Sequence, residues 1–294
     1  MSDQGRSPQQ LRVFQDNEVT EHHIYHRLAK LVGHPANAGI LERIGDEEGR
    51  HARDLAGITG TQGRVIRWKL WLYVFLARLL GLTFALKLME HGENKAQRSY
   101  QECAELDPRI HAIFSDEERH ERELLDLIDE ERLRYMGSIV LGLNDALVEL
   151  TGALAGFTFA LQNSKLVAMT GLITGIAASL SMASSEYLSS RADSESQVEP
   201  VKSSVYTGIA YLLTVALLIT PYLIFTSPTT IYFALGTSLF IAILIIAAFN
   251  FYLAVVKDDR FLPRFFEMAG LSFGVAGLSF GAGLLLRFWF NIEI

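Results

Sequence analysis

The pattern of apolar and polar residues changes near residue 135 of this 294-residue chain. Before that point, single apolar residues recur at helical spacing within polar sequence, as at Leu11, Phe14, Tyr25, Leu28 and Leu31. After it, long apolar runs are separated by short polar links. A polar part followed by an apolar part indicates that the chain occupies two solvents, water and lipid.

The polar part has the pattern of four helices separated by helix-breaking residues. The breaks fall at Gly33-His34-Pro35, at the glycines near residue 60 and at Asp107-Pro108. The predicted helices cover residues 11–32, 36–56, 64–106 and 109–135, and residues 1–10 form a disordered tail. Four helices of these lengths with short connections predict an up-down bundle over residues 11–135.

Residues 68–89 form the most apolar stretch of the bundle and resemble a membrane span in composition. Lys69, Arg78 and Lys87 interrupt the stretch, and Arg78 would lie in mid-bilayer. A charge there costs about 2.5–3.5 kcal/mol. We interpret the stretch as an amphipathic helix that lies against the membrane or a partner subunit. An ordinary long core helix fits the pattern equally well.

Five apolar segments follow, each long enough to cross a core of about 30 Å at about 1.5 Å per residue. They cover residues 137–161, 166–187, 205–225, 231–256 and 265–290 of a membrane domain over 136–294. Residues 1–17 lack the apolar core of a signal peptide, so we expect a cytoplasmic N-terminus. Most Lys and Arg of the links then lie inside, and only Lys165 and Arg287 lie outside. The positive-inside rule agrees with a cytoplasmic bundle and an outside C-terminus.

The amino-acid composition limits the ligands and partners that the chain can bind. The net charge of −7, without clustered Lys and Arg, argues against nucleic-acid binding. Cys103 is the single cysteine, which excludes an internal disulfide, a Cys-x-x-Cys metal site and an iron–sulfur cluster within one chain. All 8 histidines lie in the polar part, so imidazole ligands are available only there.

Two Glu-x-x-His motifs carry the strongest chemical signal in the polar part. Glu48 and His51 lie on the second predicted helix, and Glu117 and His120 lie on the fourth. A spacing of three residues places both side chains of a motif on one helix face, one turn apart. A solvated charged face is the alternative, but two copies on alternate helices favour a shared site.

The first and third predicted helices offer further glutamates, Glu18 and Glu21 on one and Glu90 and Glu93 on the other. Two Glu-x-x-His helices and one Glu from each other helix make up the ligand set of ferritin-like di-metal carboxylate proteins. Carboxylate-rich ligation with some imidazole favours iron, as Fe²⁺ and Fe³⁺, or Mn²⁺. The nearby His22, His23 and His26 fit surface or capping positions better than ligand positions.

The segment EVTEHHIYHRLA, which begins at Glu18, resembles the first helix of rubrerythrins, and Gly92-Glu93-Asn94 resembles their third helix. The resemblance covers about residues 11–134. It implies that Glu18 and Glu93 are ligands rather than Glu21 and Glu90, and that Tyr25 lies close to the metals. Gln97 stands where rubrerythrins often carry a further Glu, and the rubredoxin-like module is missing.

Charged residues also occur inside the apolar segments. Asp145 and Glu149 lie four residues apart on the first segment, and Met182 and Glu186 lie four apart on the second. Carboxylates in lipid are costly, so we expect them to face a polar path or to bind cations. Hard oxygens and a soft thioether suit a transition metal, and carboxylates can also exchange protons. Packing is the alternative for Met182, and an interfacial position is the alternative for Glu186.

The segments Gly142-Leu143-Asn144-Asp145 and SMASSEYLS, which begins at Ser181, resemble the vacuolar iron transporter family over about residues 136–290. The family has five spans and forms dimers, and an Asp on the first span and a Met on the second line its ion path. These roles fall on Asp145 and Met182, and by motif on Glu149 and Glu186. The order of the two domains resembles the bacterial membrane-bound ferritins, which export iron.

The sequence therefore predicts an all-α, homodimeric iron exporter of the bacterial inner membrane. Its cytoplasmic di-iron bundle captures, senses or oxidises Fe²⁺ and delivers it to a proton-coupled path. The alternatives are a membrane-tethered rubrerythrin-like peroxidase or ferroxidase, and an exporter of manganese or of divalent metals in general. Five spans with internal carboxylates exceed what an anchor requires, which favours transport.

Overall fold

The structure is a computed structural model that describes residues 6–92, 108–126, 135–193 and 198–290. Every regular element among these residues is helical, which confirms the all-α prediction. The chain divides into two compact units, Met1–Glu130 and Glu131–Ile294. Each unit is described separately below.

The described residues of the first unit form five helical elements, of which α4 is described only in part. They are α1 (Arg6–Ala29), α2 (Pro35–Thr59), α3 (Arg67–Leu80), α4 (residues 82–92) and α5 (Pro108–Asp126). Helix α1 packs against α2 and α3, and α2 also packs against α5.

Two helix boundaries differ from the sequence prediction. Helix α1 begins at Arg6 rather than at residue 11, because a proline is tolerated in the first turn of a helix and Pro8 lies there. The predicted long helix over residues 64–106 is broken at Gly81, which has a φ of 102° that side-chain-bearing residues rarely adopt. The apolar stretch 68–89 is therefore two helices rather than one.

Two apolar layers fill the interior of the first unit. One layer contains Leu11, Phe14, Leu55, Ile110 and Ile113. The other is larger and comes from all five helices, with these fully buried members: Ile24, Leu28, Leu41 and Ile44. On α1, α2 and α5 alike, the positions between the two layers carry glutamate and histidine.

Within the described part of the second unit, five helices are long and apolar enough to cross a membrane, as predicted. They are α6 (Met136–Leu161), α7 (Ser164–Ala192), α8 (Pro200–Ile224), α9 (Ile231–Val256) and α10 (Phe261–Phe290). Helix α7 ends later and α8 begins earlier than predicted, because Asp193 caps the former and Pro200 occupies the first turn of the latter. Large apolar side chains such as Leu223, Phe233 and Leu278 remain exposed on the outer faces, as lipid contact requires.

Helix α6 packs against the other four helices of the second unit. Its fully buried Leu147 and Leu154 meet Tyr211 and Tyr222 of α8 in the core. Small residues allow the close contacts. A Cβ atom at Gly175 of α7 would lie 2.6 Å from a methyl carbon of Val215. Gly175 thus has a packing function within the chain.

Candidate metal centre and membrane path

The structure brings five of the six principal predicted ligands together in the polar layer of the first unit. Glu18 comes from α1, Glu48 and His51 from α2, and Glu117 and His120 from α5. Glu18 and Glu48 are each 1% exposed, and His120 is 2% exposed. The sixth, Glu93, lies outside the described residues.

The distances within this cluster are those of groups that can share a metal ion. Glu18, Glu48, His51 and Glu117 each offer one ligand atom, and these atoms lie within 4.8 Å of one another. Nδ1 of His51 is 3.2 Å from Glu48 and 3.4 Å from Glu18. Nδ1 of His120 is 3.1 Å from the other oxygen of Glu48. Glu48 therefore lies between the two imidazoles.

Both imidazoles have the same orientation. Each turns Nδ1 toward the central carboxylates and Nε2 toward a second, outer carboxylate. Nε2 of His51 is 3.2 Å from Asp116, and Nε2 of His120 is 2.5 Å from Glu47. Outer carboxylates of this kind fix the tautomer and ring orientation of metal-ligating histidines.

Sequence reasoning missed these two outer carboxylates. Each directly precedes a predicted ligand, in the runs Asp46-Glu47-Glu48 and Asp116-Glu117-Glu118. Neighbours in a helix point about 100° apart, so the acidic run alone does not show which carboxylate faces inward. Arg119, 2.8 Å from both Glu47 and Asp116, links the outer pair.

Burial and mutual repulsion control protonation in the cluster. Burial and the neighbouring Glu48 and Glu117 charges raise the pKa of Glu18 well above its usual value. Burial opposes the ionisation of Glu48, but the adjacent His120 and His51 imidazoles prevail and lower its pKa. Glu47 behaves similarly: His120 and Arg119 outweigh burial and lower its pKa to about 2.

The two imidazoles gain the complementary shift. Burial disfavours the protonated form of each ring, but the nearby Glu48 carboxylate outweighs it, so the pKa values of His51 and His120 are raised. In the metal-free chain, protons thus supply positive charge that cations would supply in the loaded chain. Oε2 of Glu18 is buried without a hydrogen-bond partner among the described residues. Such an atom is suited to a metal ligand.

Glu21, Glu90 and Tyr25, which the sequence also suggested near the metals, have partners outside the four-residue group. Glu21 lies 2.9 Å from Nζ of Lys69 on α3, and burial raises its pKa despite that cation. Glu90 lies on α4 with Nζ of Lys87 3.1 Å away. Tyr25 is buried in the larger apolar layer. The structure thus places Glu18, and not Glu21, in the four-residue group.

In the second unit, Glu186 is held by serines from three helices. Its Oε1 accepts hydrogen bonds from Ser138 of α6 at 2.9 Å, from Ser190 of α7 at 3.3 Å and from Ser203 of α8. Ser138 and Ser203 are buried. Sequence reasoning missed all three serines, because hydroxyls are common in membrane helices and their spacing does not identify a partner.

The other three predicted path residues lie further along α6 and α7, away from the end at which Glu186 contacts the serines. Met182, one turn before Glu186, packs partly buried against the core. Asp145 is half-buried and Glu149 is exposed on α6. The hydroxyl of Tyr211 on α8 donates a hydrogen bond of 2.8 Å to Glu149. At about 1.5 Å per residue, Asp145 lies about 10 Å and Glu149 about 16 Å along α6 from Ser138.

A separate cavity of about 380 Å³ lies between α6, α9 and α10. Its polar lining includes Asn144, Asn250, Arg264 and Glu267. The amide of Asn250 donates to the sulfur of Met268, 3.1 Å away. Asn250 is the residue that sequence reasoning missed here, and a lone Asn in an apolar span is a signal that could have found it.

These features define a multi-pass membrane protein with a carboxylate–histidine cluster in a separate polar unit. The family model described as VIT family matches residues 136–199, which include α6 and α7. All four predicted path residues fall inside this match. It indicates membrane transport of metal ions, iron among them. Comparisons with the curated proteins and with the solved structures gave no match.

Proposed function

We propose that this chain is an iron exporter of the bacterial inner membrane, and that its N-terminal unit is a ferritin-like domain that binds two iron ions. Glu18, Glu48, His51, Glu117 and His120 would hold the ions, with Glu93 as the sixth ligand. The observation that carries this proposal is the buried cluster in which Glu48 lies between two inward-facing imidazoles.

The energetics of burial support a cation site. Several carboxylates enclosed between two apolar layers repel one another, and burying unpaired charge costs several kcal/mol per ion. Protons on His51 and His120 compensate only part of that charge, and divalent ions would compensate more of it. Oxygen-rich ligation with two imidazoles favours Fe²⁺ and Mn²⁺ over thiolate-seeking metals. Bound iron would supply redox chemistry in this domain.

The membrane path follows from the positions of its carboxylates. The start of α6, the end of α7 and the start of α8 meet at Glu186, which lies at the proposed cytoplasmic end. Met182, Asp145 and Glu149 would then carry the ion outward in exchange for protons. Met182 lies about one helical turn from Glu186 on α7, and Glu149 lies about one helical turn from Asp145 on α6.

A second copy of the chain would complete this path. Asp145 is half-exposed and Glu149 is exposed on the surface of a single membrane unit. A carboxylate exposed to lipid at mid-membrane costs about 2.5–3.5 kcal/mol. We therefore place the same face of a partner protomer opposite Asp145 and Glu149, so that the ion path lies at a homodimer interface.

Helix α3 would rest on the cytoplasmic membrane surface. Trp68, Trp71, Phe75 and Leu79 lie along one face and are 58–70% exposed. The guanidinium of Arg27 lies 4.5 Å from the ring centre of Trp71. Exposed tryptophans beside basic groups are typical of helices in the membrane interface.

Iron flux into proteoliposomes tests the transport proposal. Asp145→Asn removes the path charge without changing side-chain size and should abolish Fe²⁺ flux. Asp258→Asn changes a similar charge in the turn after α9 and is the matched control. Equal flux through both variants would refute the path. If the vesicles never pass iron and Glu48→Gln abolishes only ferroxidase turnover, the protein is a tethered oxidase and not a transporter.

A further inference from the structure

A second group of potential ligands lies where α1 and α2 face each other, outside the buried cluster. His22 and His26 are one turn apart on α1, and their ring centres are 4.7 Å apart. Oδ1 of Asp46 on α2 lies 3.1 Å from Nε2 of His26. Each of the three residues offers one ligand atom, and these atoms lie within 4.8 Å of one another.

Two glycines of α2 leave room for the two imidazoles. Gly45 and Gly49 are one turn apart and lie opposite the histidine pair. A Cβ atom at Gly45 would be 3.3 Å from Nε2 of His26, and one at Gly49 would be 3.0 Å from Nδ1 of His22. Any larger residue would have to displace a ring. The close packing of the rings against α2 therefore depends on both glycines.

Backbone contact sets the tautomer of His22. Its Nδ1 lies 2.6 Å from the carbonyl oxygen of Gly45. A nitrogen this close to a carbonyl carries a proton, so in the neutral ring Nε2 retains its lone pair. A backbone carbonyl that accepts from one ring nitrogen is the usual way to orient a metal-ligating histidine.

We propose that His22, His26 and Asp46 form a second, solvent-accessible site for a divalent transition-metal ion. Two imidazoles and one carboxylate select first-row transition ions over Mg²⁺ and Ca²⁺. Two ligand atoms bound to one ion at about 2.1 Å lie about 3.0–3.4 Å apart, which includes the His26–Asp46 distance.

Accessibility distinguishes this site from the buried cluster. The side chain of Asp46 is 68% exposed and that of His26 is 31% exposed. An ion can therefore reach the three ligands from water without opening the core. The remaining coordination positions would be filled by water, so the ion would exchange faster than one in the buried cluster.

Titration of the full-length protein in detergent with Co²⁺ tests the proposal. Co²⁺ reports nitrogen and oxygen ligation through its visible absorption. The experiment uses the Glu48→Gln background as well as the unmodified chain, so that loss of the surface site is separated from loss of the buried one. The His22→Gln/His26→Gln variant should bind one ion fewer in both backgrounds.

Matched variants give the controls. His23→Gln changes a histidine of the same helix that is outside the group and should keep the full number of ions. Asp46→Asn preserves side-chain size and should weaken the surface site at least about 10-fold, by comparison with losses of 10–100-fold for supporting groups.

Two outcomes would overturn the site. The first is an unchanged ion count and affinity in the double histidine variant, which would leave His26 and Asp46 as a simple ion pair. The second is an equal loss in His23→Gln, which would show non-specific binding by surface histidines. Failure of the transport proposal would alter neither readout, because the titration measures binding alone.

Discussion

Glu48→Gln tests the buried cluster most directly, because Glu48 contacts both imidazoles. Its carboxylate lies 3.2 Å from Nδ1 of His51 and 3.1 Å from Nδ1 of His120, and its side chain is 2% exposed. Glutamine keeps the shape of the side chain and removes the charge. The substitution therefore changes the electrostatics of the cluster with little change in packing.

The expected loss of metal affinity is large. Losing a group that merely supports a metal ligand weakens binding about 10–100-fold. Glu48 reaches both nitrogens that would each hold one ion, so its loss should weaken binding at least about 100-fold. The metal-free chain should lose about 3–5 kcal/mol near pH 6, which is the usual cost of removing one partner of a buried ion pair.

Two measurements check this prediction. Iron per chain is determined by elemental analysis after anaerobic loading, and Mn²⁺ affinity is measured by titration of chelator-stripped protein in detergent. Glu42→Gln is the matched control, because Glu42 lies exposed on the same helix and should bind both ions normally. A Glu48→Gln protein that folds and binds metal within about threefold of the unmodified chain would refute the proposal that Glu48 is a metal ligand.

Three further predictions concern pH, packing and the path. The raised pKa values of His51 and His120 stabilise the folded chain fully below the unfolded pKa of about 6.5, and this stability is lost as pH rises through the folded pKa values. The metal-free chain should therefore melt at a lower temperature at pH 8.5 than at pH 6.5. Calorimetry should show that Mn²⁺ abolishes this decline. Gly175→Ala should cost about 1–3 kcal/mol by overpacking against Val215. Gly270→Ala, which meets no atom within 4 Å, should be neutral in the same thermal scan, and equal losses would contradict the packing account. Tyr211→Phe removes the donor to Glu149 and should lower Fe²⁺ flux while the protein still folds, whereas unchanged flux would place this hydrogen bond outside the path.

The sequence predicted the residues of the buried cluster better than their partners. Glu-x-x-His spacing identifies side chains that share a helix face, because three residues nearly complete one turn. It does not identify the outer carboxylates, Glu47 and Asp116, since that depends on how α2 and α5 are rotated about their axes. Packing of the flanking apolar layers fixes this rotation.

The second group of ligands, formed by His22, His26 and Asp46, also could not be predicted from spacing along one helix. Taken singly, His22 and His26 fitted surface positions, and nothing in the sequence links either residue to Asp46 across the loop between α1 and α2. The link arises because two glycines on α2 let the helices approach closely at this level. A contact between helices is a property of the packed pair.

The sequence by itself determined the division into a polar and an apolar part, the five spans and the helical class, because these depend on local composition and on the thickness of a bilayer. The tertiary structure decided which serines hold Glu186, which carboxylates orient His51 and His120, and that one helix ends at Gly81 and the next begins after it. Each of these depends on atoms far apart in the chain or on one backbone angle. The spacing of residues along a single helix does not predict them.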